Sequence, residues 1–342
     1  MKRTLIVLLA VLLAAMPAAR FPAASASSDL SVSARSAVVM DADTGRILWA
    51  RRPDERSLIA STTKIMTAYL VCREGGLDRP VSVPAQAVGV EGSSLYLREG
   101  ETLTREELLY GTMLHSGNDA ALALAIAASG SEAAFVERMN RAARSLGLQN
   151  TCYANPHGLD SAANYSTARD LAVLTAHALQ NDAFRRVACT KTCTVGERVL
   201  TNHNKLLWRC PGCIGVKTGY TKAAGRILVS AAEREGRRVI CVSINDPNDW
   251  QDHCALLDRA FASYQPRTLA KPGQILAEVS GADAGRLSAL AELTVPLLPE
   301  ETVRMEFVPR FRPIFDSNRE DGLVRVWLSD RLLAELPVVR AG

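Results

Sequence analysis

Apolar positions along this chain recur at two periods, and the change between them divides it. Ile65, Met66, Tyr69 and Leu70 follow helical spacing directly after Ser61-Thr62-Thr63-Lys64, which predicts a helix with Ser61 in its first turn. Further helices are predicted from Thr104, where Thr104-x-x-Glu107 is a capping box, through Leu108, Leu109, Met113 and Leu114. Others follow from Ala120 to Ala128, from Glu132 to Leu146 with Gly147 behind it, from a Ser166 cap through Leu171, Leu174 and Leu179, and from Asp252 to Tyr264. Strand patterns place a hairpin over Ala37–Met40 and Arg46–Trp49 around Asp43-Thr44-Gly45. From Val187 the pattern turns to strands, at Val187–Val195, Arg226–Ala231 and Arg238–Asn245. Past Gln265-Pro266 only short strands and turns remain: Gln274–Ser280, Thr302–Val308, Leu323–Leu328 and Arg331–Val339, a small all-β domain.

The first 26 residues have a different character. Lys2 and Arg3 precede an apolar run from Leu5 to Ala15, and Ala24-Ser25-Ala26 offers a small-residue cleavage site, so residues 1–26 read as a signal peptide. The expected location is therefore extracytoplasmic, secreted or on the periplasmic or cell-wall side. No other stretch approaches the apolar length of a membrane span, so no transmembrane helix is expected in the mature chain. The chain stops just after a predicted strand, and the expectation is a protein soluble outside the cytoplasm or held through its β domain.

Composition is globular, with 48% hydrophobic and 22% charged residues, and the net charge of +4 comes without a basic run or aromatic patch that would suggest nucleic acid. Of 40 basic residues only seven are lysine, among them Lys64 and Lys217. The distinction matters because lysine can give up its proton and arginine cannot.

Ser61 and Lys64, three apart on a helix, share a face. A serine becomes a nucleophile when a base takes its proton, and a lysine is such a base once burial or nearby positive charge lowers its pKa. Alone, Ser-x-x-Lys is better explained by a capping serine followed by a solvated lysine than by catalysis. Two more short motifs change that balance. His115-Ser116-Gly117-Asn118-Asp119 forms a tight turn between helices that can present Ser116 and Asn118. Val216-Lys217-Thr218-Gly219-Tyr220 can offer charge and hydroxyl from an edge strand, with a glycine for close approach.

The three motifs in this order match the set found in penicillin-binding proteins and class A β-lactamases. With Asn155-Pro156-His157-Gly158-Leu159, the chain resembles the low-molecular-mass penicillin-binding proteins of the D-alanyl-D-alanine carboxypeptidase family, closely over residues 30–265 and more loosely beyond. The resemblance implies a transpeptidase/β-lactamase-like α/β/α domain with an antiparallel sheet, over residues 29–265, followed by a small β-sandwich-like domain over 267–342. The implied partners are peptidoglycan stem peptides ending in D-Ala-D-Ala and β-lactams as covalent inhibitors; no metal and no cofactor are implied. Ser61 would attack and Lys64 take its proton, while Ser116 and Asn118 relay the proton and hold the peptide. Lys217 and Thr218 would engage the terminal carboxylate beside Gly219, and the N–H groups of Ser61 and Tyr220 would form the oxyanion hole. One departure stands out: some members carry an arginine downstream of the third motif, whereas Ile244 to His253 here contains none.

A β-lactamase is the nearest rival, but Glu132, Glu137 and Glu197 all lack the Asn four residues on that class A enzymes use, and the β domain has no place there. A peptidoglycan endopeptidase would use the same chemistry. A non-catalytic wall-binding or penicillin-sensing protein would need no nucleophile–base pair. His157, His203 and Glu106-Glu107 are read as structural. Of eight cysteines, Cys189, Cys193, Cys210 and Cys213 are expected to cross-link among themselves, with the others as buried core residues.

Overall fold

In the computed structural model the described residues are 31–279, 285–309 and 321–341. The signal-peptide assignment over 1–26 lies outside them.

The chain opens with β1 (Ser36–Asp41) and β2 (Ile47–Arg51), joined by the expected turn, then a short β3 (Ser57–Leu58). A 3-10 turn over Ala60–Thr63 feeds α1 (Lys64–Glu74). The next strands, β4 (Pro80–Ser82) and β5 (Thr102–Thr104), pair ahead of α2 (Arg105–Met113). The capping box is present in full: Glu107 N–H donates to Thr104 Oγ1 at 3.2 Å and Thr104 N–H to Glu107 Oε2 at 2.7 Å. Behind it come α3 (Asn118–Ser129) and α4 (Glu132–Ser145). The α3 sequence is rich in alanine and buries its first eight residues, because small side chains let α2 and α4 pack closely on it.

A short β6 (Tyr165–Ser166) pairs with β3, and α5 (Ala168–Leu179) follows. Its cap is Thr167, whose Oγ1 accepts from Asp170 N–H at 3.1 Å, and not Ser166, whose side chain bonds Thr151 instead. The expected strand at Val187 is also corrected. Asp182–Cys189 is helix α6, capped by Asn181 and burying Phe184, Val187 and Ala188 at helical spacing. The apolar run there is too short for periodicity alone to separate helix from strand. The strands begin later, as the hairpin β7 (Thr192–Val195) and β8 (Arg198–Thr201).

After a one-turn α7 (Leu206–Arg209) come β9 (Cys213–Thr221), β10 (Gly225–Arg234), β11 (Arg237–Ile244) and α8 (Asp249–Ser263), which starts three residues earlier than expected. The main sheet is antiparallel in the order β2-β1-β11-β10-β9, so β9 is an edge. One face, with Val38, Met40, Val229 and Val242, packs into the helical core. The other carries Ser230 and Ser243, which bond the two nitrogens of buried His253 on α8 at 2.6 and 2.8 Å. Helices thus cover both faces, an α/β/α domain.

The remaining strands are β12 (Gln265–Ala270), β13 (Ile275–Val279), β14 (Gly285–Ala289), β15 (Leu293–Leu297), β16 (Arg304–Pro309), β17 (Gly322–Leu328) and β18 (Arg331–Ala341). They form a five-stranded sheet, β13-β14-β18-β17-β16, and a two-stranded one, β12-β15. Val295 and Leu297 of β15 pack on Leu333 of β18, which closes a small core between the two. Arg46, in the β1–β2 turn, ties this domain to the first: its guanidinium reaches both Glu301 oxygens at 2.6 and 2.8 Å, donates to Pro296 O and stacks on Tyr264.

Candidate active site

Three elements meet at Ser61. The 3-10 turn carries it, the turn ahead of α3 carries Ser116, the first residue of α3 is Asn118, and β9 carries Lys217 to Tyr220. The register explains the last placement. Lys217 lies opposite Val229, whose side chain enters the helical core, so Lys217 points the same way. Its Nζ donates to Ser116 Oγ at 3.1 Å and to Thr218 O at 2.9 Å.

Close backbone approach around Ser61 depends on two glycines. A Cβ on Gly158 would stand 2.0 Å from Ala60 O, and its φ of +96° also excludes most side chains. A Cβ on Gly219 would lie 3.2 Å from Ile59 O and 3.3 Å from Ser61 N. Ala60 and Ser116 are themselves held at φ of +44° and +67°. Such left-handed backbone costs on the order of 1–3 kcal/mol per residue and is sustained by surrounding contacts.

Lys64 Nζ touches Ser61 Oγ at 3.0 Å, Asn118 Oδ1 at 2.6 Å and His157 O at 2.6 Å. The lysine is fully buried; desolvation first and the Lys217 charge second hold its pKa well below the ordinary 10.5, against the opposing pull of Asp119. A neutral amine has two hydrogens and one lone pair. With Asn118 Oδ1 and His157 O as pure acceptors, the two hydrogens go to them and the lone pair is left for the Ser61 hydroxyl. Asn118 is held in that orientation because its Nδ2 donates to Glu91 O at 2.5 Å. Asp119 fixes the loop opposite, accepting from the N–H groups of Leu95 and Leu97 and from Ser94 Oγ.

Burial also lowers Lys217, to about 7, so the two lysines hold their protons far less firmly than lysines in water. His157 and His203 are each pushed down to about 4 by burial first, then by Lys64 for the former and by Lys217 and His115 for the latter. Both are therefore neutral near pH 7. His203 also stacks on His115, with ring centroids 5.2 Å apart.

These groups open on a cleft of about 280 Å³. Ser61, Ser116, Thr218 and Gly219 line it, Tyr220 is 65% exposed at its rim, and Arg226 and Trp250 form the far wall. All eight residues expected from the three motifs thus come together. Arg226 was not anticipated. It stands on β10 opposite Tyr220, pairs bidentately with buried Asp249 at 2.7 and 3.2 Å and lies over the Trp250 ring. No local motif marks it, since only the β9–β10 register brings it to the cleft. The eight cysteines are all free, which corrects the expected cross-links among Cys189, Cys193, Cys210 and Cys213.

Comparison with known proteins agrees with this geometry. The family model described as D-alanyl-D-alanine carboxypeptidase matches residues 23–248. The chain is 36% identical to the D-alanyl-D-alanine carboxypeptidase DacF of Bacillus subtilis over 74% of this chain and 68% of that one. It is 30% identical to DacA of Haemophilus influenzae over 89% and 81%. The solved penicillin binding protein 5 of Haemophilus influenzae superposes with a TM-score of 0.79 at 29% identity, covering 91% of this chain and 97% of that one. A variant of the Streptomyces K15 DD-transpeptidase superposes with a TM-score of 0.65 at 35% identity over 68% of this chain and 99% of that one. With motifs, fold and relatives in agreement, the chain belongs to the D-alanyl-D-alanine carboxypeptidase family.

Proposed function

We propose that this protein is a serine-type carboxypeptidase that removes the terminal D-Ala from peptidoglycan stem peptides through an acyl-enzyme on Ser61, with the chemistry in residues 29–265. Ser61 Oγ attacks the carbonyl of the penultimate D-Ala as its proton passes to Lys64 Nζ. The N–H groups of Ser61 and Tyr220 hold the oxyanion, a contribution of roughly 10²–10³ in rate per donor. The peptide C–N bond breaks, and the leaving amine of D-Ala takes its proton by way of Ser116. Asn118 keeps the amine of Lys64 aimed. Lys217 and Thr218 bind the terminal carboxylate, and Arg226 serves as the arginine missing downstream of the third motif. Water then hydrolyses the ester.

One observation carries this reading: a fully buried lysine 3.0 Å from Ser61 Oγ, with its two hydrogens engaged by Asn118 Oδ1 and His157 O. β-Lactams, which mimic D-Ala-D-Ala, acylate the same serine, and their tethered leaving group hinders the incoming water. We place the enzyme on the extracytoplasmic side, exported by residues 1–26, where its substrate is. Among the described residues no single helix is long and apolar enough to cross a membrane.

The test is mass spectrometry of the intact protein and its peptides after penicillin treatment, alongside release of D-Ala from a stem pentapeptide. An adduct on Ser61 with D-Ala release is expected. No adduct, or rapid turnover of a chromogenic cephalosporin, would overturn the assignment.

A further inference from the structure

A second cavity adjoins the catalytic cleft and takes no part in the steps above. It is a groove of about 470 Å³ lined by Thr201, Asn202, His203, Lys205 and Trp208. His203 borders both, so the groove opens directly beside the cleft. Its lining is fixed from beneath. Asn202 Nδ2 donates to Ala188 O at 3.3 Å and to Thr190 O at 3.0 Å, and its Oδ1 accepts from Asn204 N–H at 2.9 Å. His203 N–H donates to Leu114 O at 3.1 Å. Leu206 and Leu207 of α7 are buried, whereas Trp208 beside them faces outward and is 48% exposed. Lys191 Nζ stands over the indole, 5.8 Å from the ring centroid, and Lys205 lines the same groove, which no acidic residue lines. An apolar floor with cations at its edge suits an aliphatic chain that ends in an anion.

The position of the groove decides what enters it. In the mechanism above Ser116 serves the leaving amine, while Lys217 and Thr218 take the carboxylate of the same residue. His115 directly precedes Ser116, and its ring centroid lies 5.2 Å from that of His203. The groove is therefore on the leaving side. With amine and carboxylate both held there, the side chain is the remaining heavy-atom branch of the leaving residue, and in D-Ala it is only a methyl.

We propose that this groove is a leaving-side subsite for a D-residue whose long aliphatic side chain carries an anionic group, as in a second stem peptide cross-linked to the D-Ala carbonyl. The proposal rests on the Ser61 mechanism and extends it to a larger leaving group. The bond from Ser61 Oγ to the D-Ala carbonyl carbon forms as the C–N bond breaks, and the leaving amine takes the serine proton. Water then hydrolyses the ester and frees the first stem as an acid. Contacts with Trp208, Lys191 and Lys205 are made by the longer leaving group alone, so they raise kcat/KM for it and not for D-Ala.

The test compares kcat/KM on blocked peptides ending in D-Ala–D-Ala, D-Ala–D-aminoadipate and D-Ala–D-lysine. D-Aminoadipate joins an aliphatic chain to a carboxylate, and D-lysine joins one to an ammonium. The full-length protein should prefer the aminoadipate peptide to the D-lysine peptide by about fivefold or more, the upper range of exposed ion pairs. Trp208→Ala should lower the aminoadipate value by about fourfold or more, the worth of one buried methylene, and leave the D-Ala value within about twofold. Lys191→Gln combined with Lys205→Gln, both at exposed positions, should erase the preference over D-lysine even if the tryptophan variant folds poorly. Equal rates on the aminoadipate and D-lysine peptides, or equal losses on every peptide in a folded Trp208→Ala, would overturn the proposal. Release of D-Ala without any such preference defeats the subsite alone. No release from any peptide, with no penicillin adduct on Ser61, defeats the proposed function and the subsite with it.

Discussion

Asn118 Oδ1 lies 2.6 Å from Lys64 Nζ, closer than Ser61 Oγ at 3.0 Å. A neutral acceptor at that position takes a hydrogen from the amine without favouring its charged form as a carboxylate would. Asn118→Asp is therefore expected to raise the Lys64 pKa, since a negative charge stabilises the ammonium. The rising limb of penicillin acylation against pH should move up by at least about one unit. An unmoved limb would show that Lys64 is not the titrating base.

Lys64 has no exposed surface, which changes what a charge-retaining variant can test. At a partly exposed helix position Lys64→Arg would be tolerated. In the fully buried site the larger guanidinium cannot shed its charge and overpacks its neighbours, so that variant should lose stability as well as activity. Lys64→Met is the cleaner probe. It should keep the circular dichroism spectrum and lose about 10²–10⁴-fold in acylation rate, the usual contribution of a general base.

Burial of Lys217 sets a pH dependence of stability. Its pKa falls from 10.5 unfolded to about 7 folded. The folded state thus binds this proton less tightly, and the resulting cost is full below about 7, shrinks as pH rises and vanishes above 10.5. Lys217→Met should be more stable than wild type by about 1–3 kcal/mol at pH 6, less so at pH 9, and nearly inactive throughout. Denaturant melts at the two pH values check this; a gain that grows with pH would contradict it.

Gly158 and Gly219 should separate folding from function. At Gly158 an alanine would meet Ala60 O at 2.0 Å with a positive φ, so Gly158→Ala should cost about 2–4 kcal/mol of stability. At Gly219 the nearest contact is 3.2 Å, which a shift of a few tenths of an ångström relieves. That shift moves β9 away from the Ser61 backbone. Gly219→Ala should melt near the wild type and lose about tenfold or more in kcat/KM.

Arg226 is tested by its substrate. Arg226→Gln should lower kcat/KM for a peptide with a free terminal carboxylate by about ten- to a hundredfold, the range of a charge-assisted hydrogen bond. The corresponding terminal amide should respond little. Equal losses on both would mean that Arg226 only supports Asp249 and Trp250.

Much of this protein is legible from contacts within one helical turn. The Thr104–Glu107 cap, the Ser61–Lys64 pair and the turn bearing Ser116 and Asn118 are short-range facts, so spacing alone predicts them. The same reasoning chose Ser166 over its neighbour Thr167 as a cap and read helical Val187 as strand, because adjacent hydroxyls and a short apolar run look alike without their tertiary partners. What only the tertiary structure decided lies between distant segments. The β9–β10 register turns Lys217 inward and places Arg226 on the cleft wall. Packing on every side takes Lys64 out of water, and desolvation, invisible in a string of residues, makes that lysine able to serve as a base.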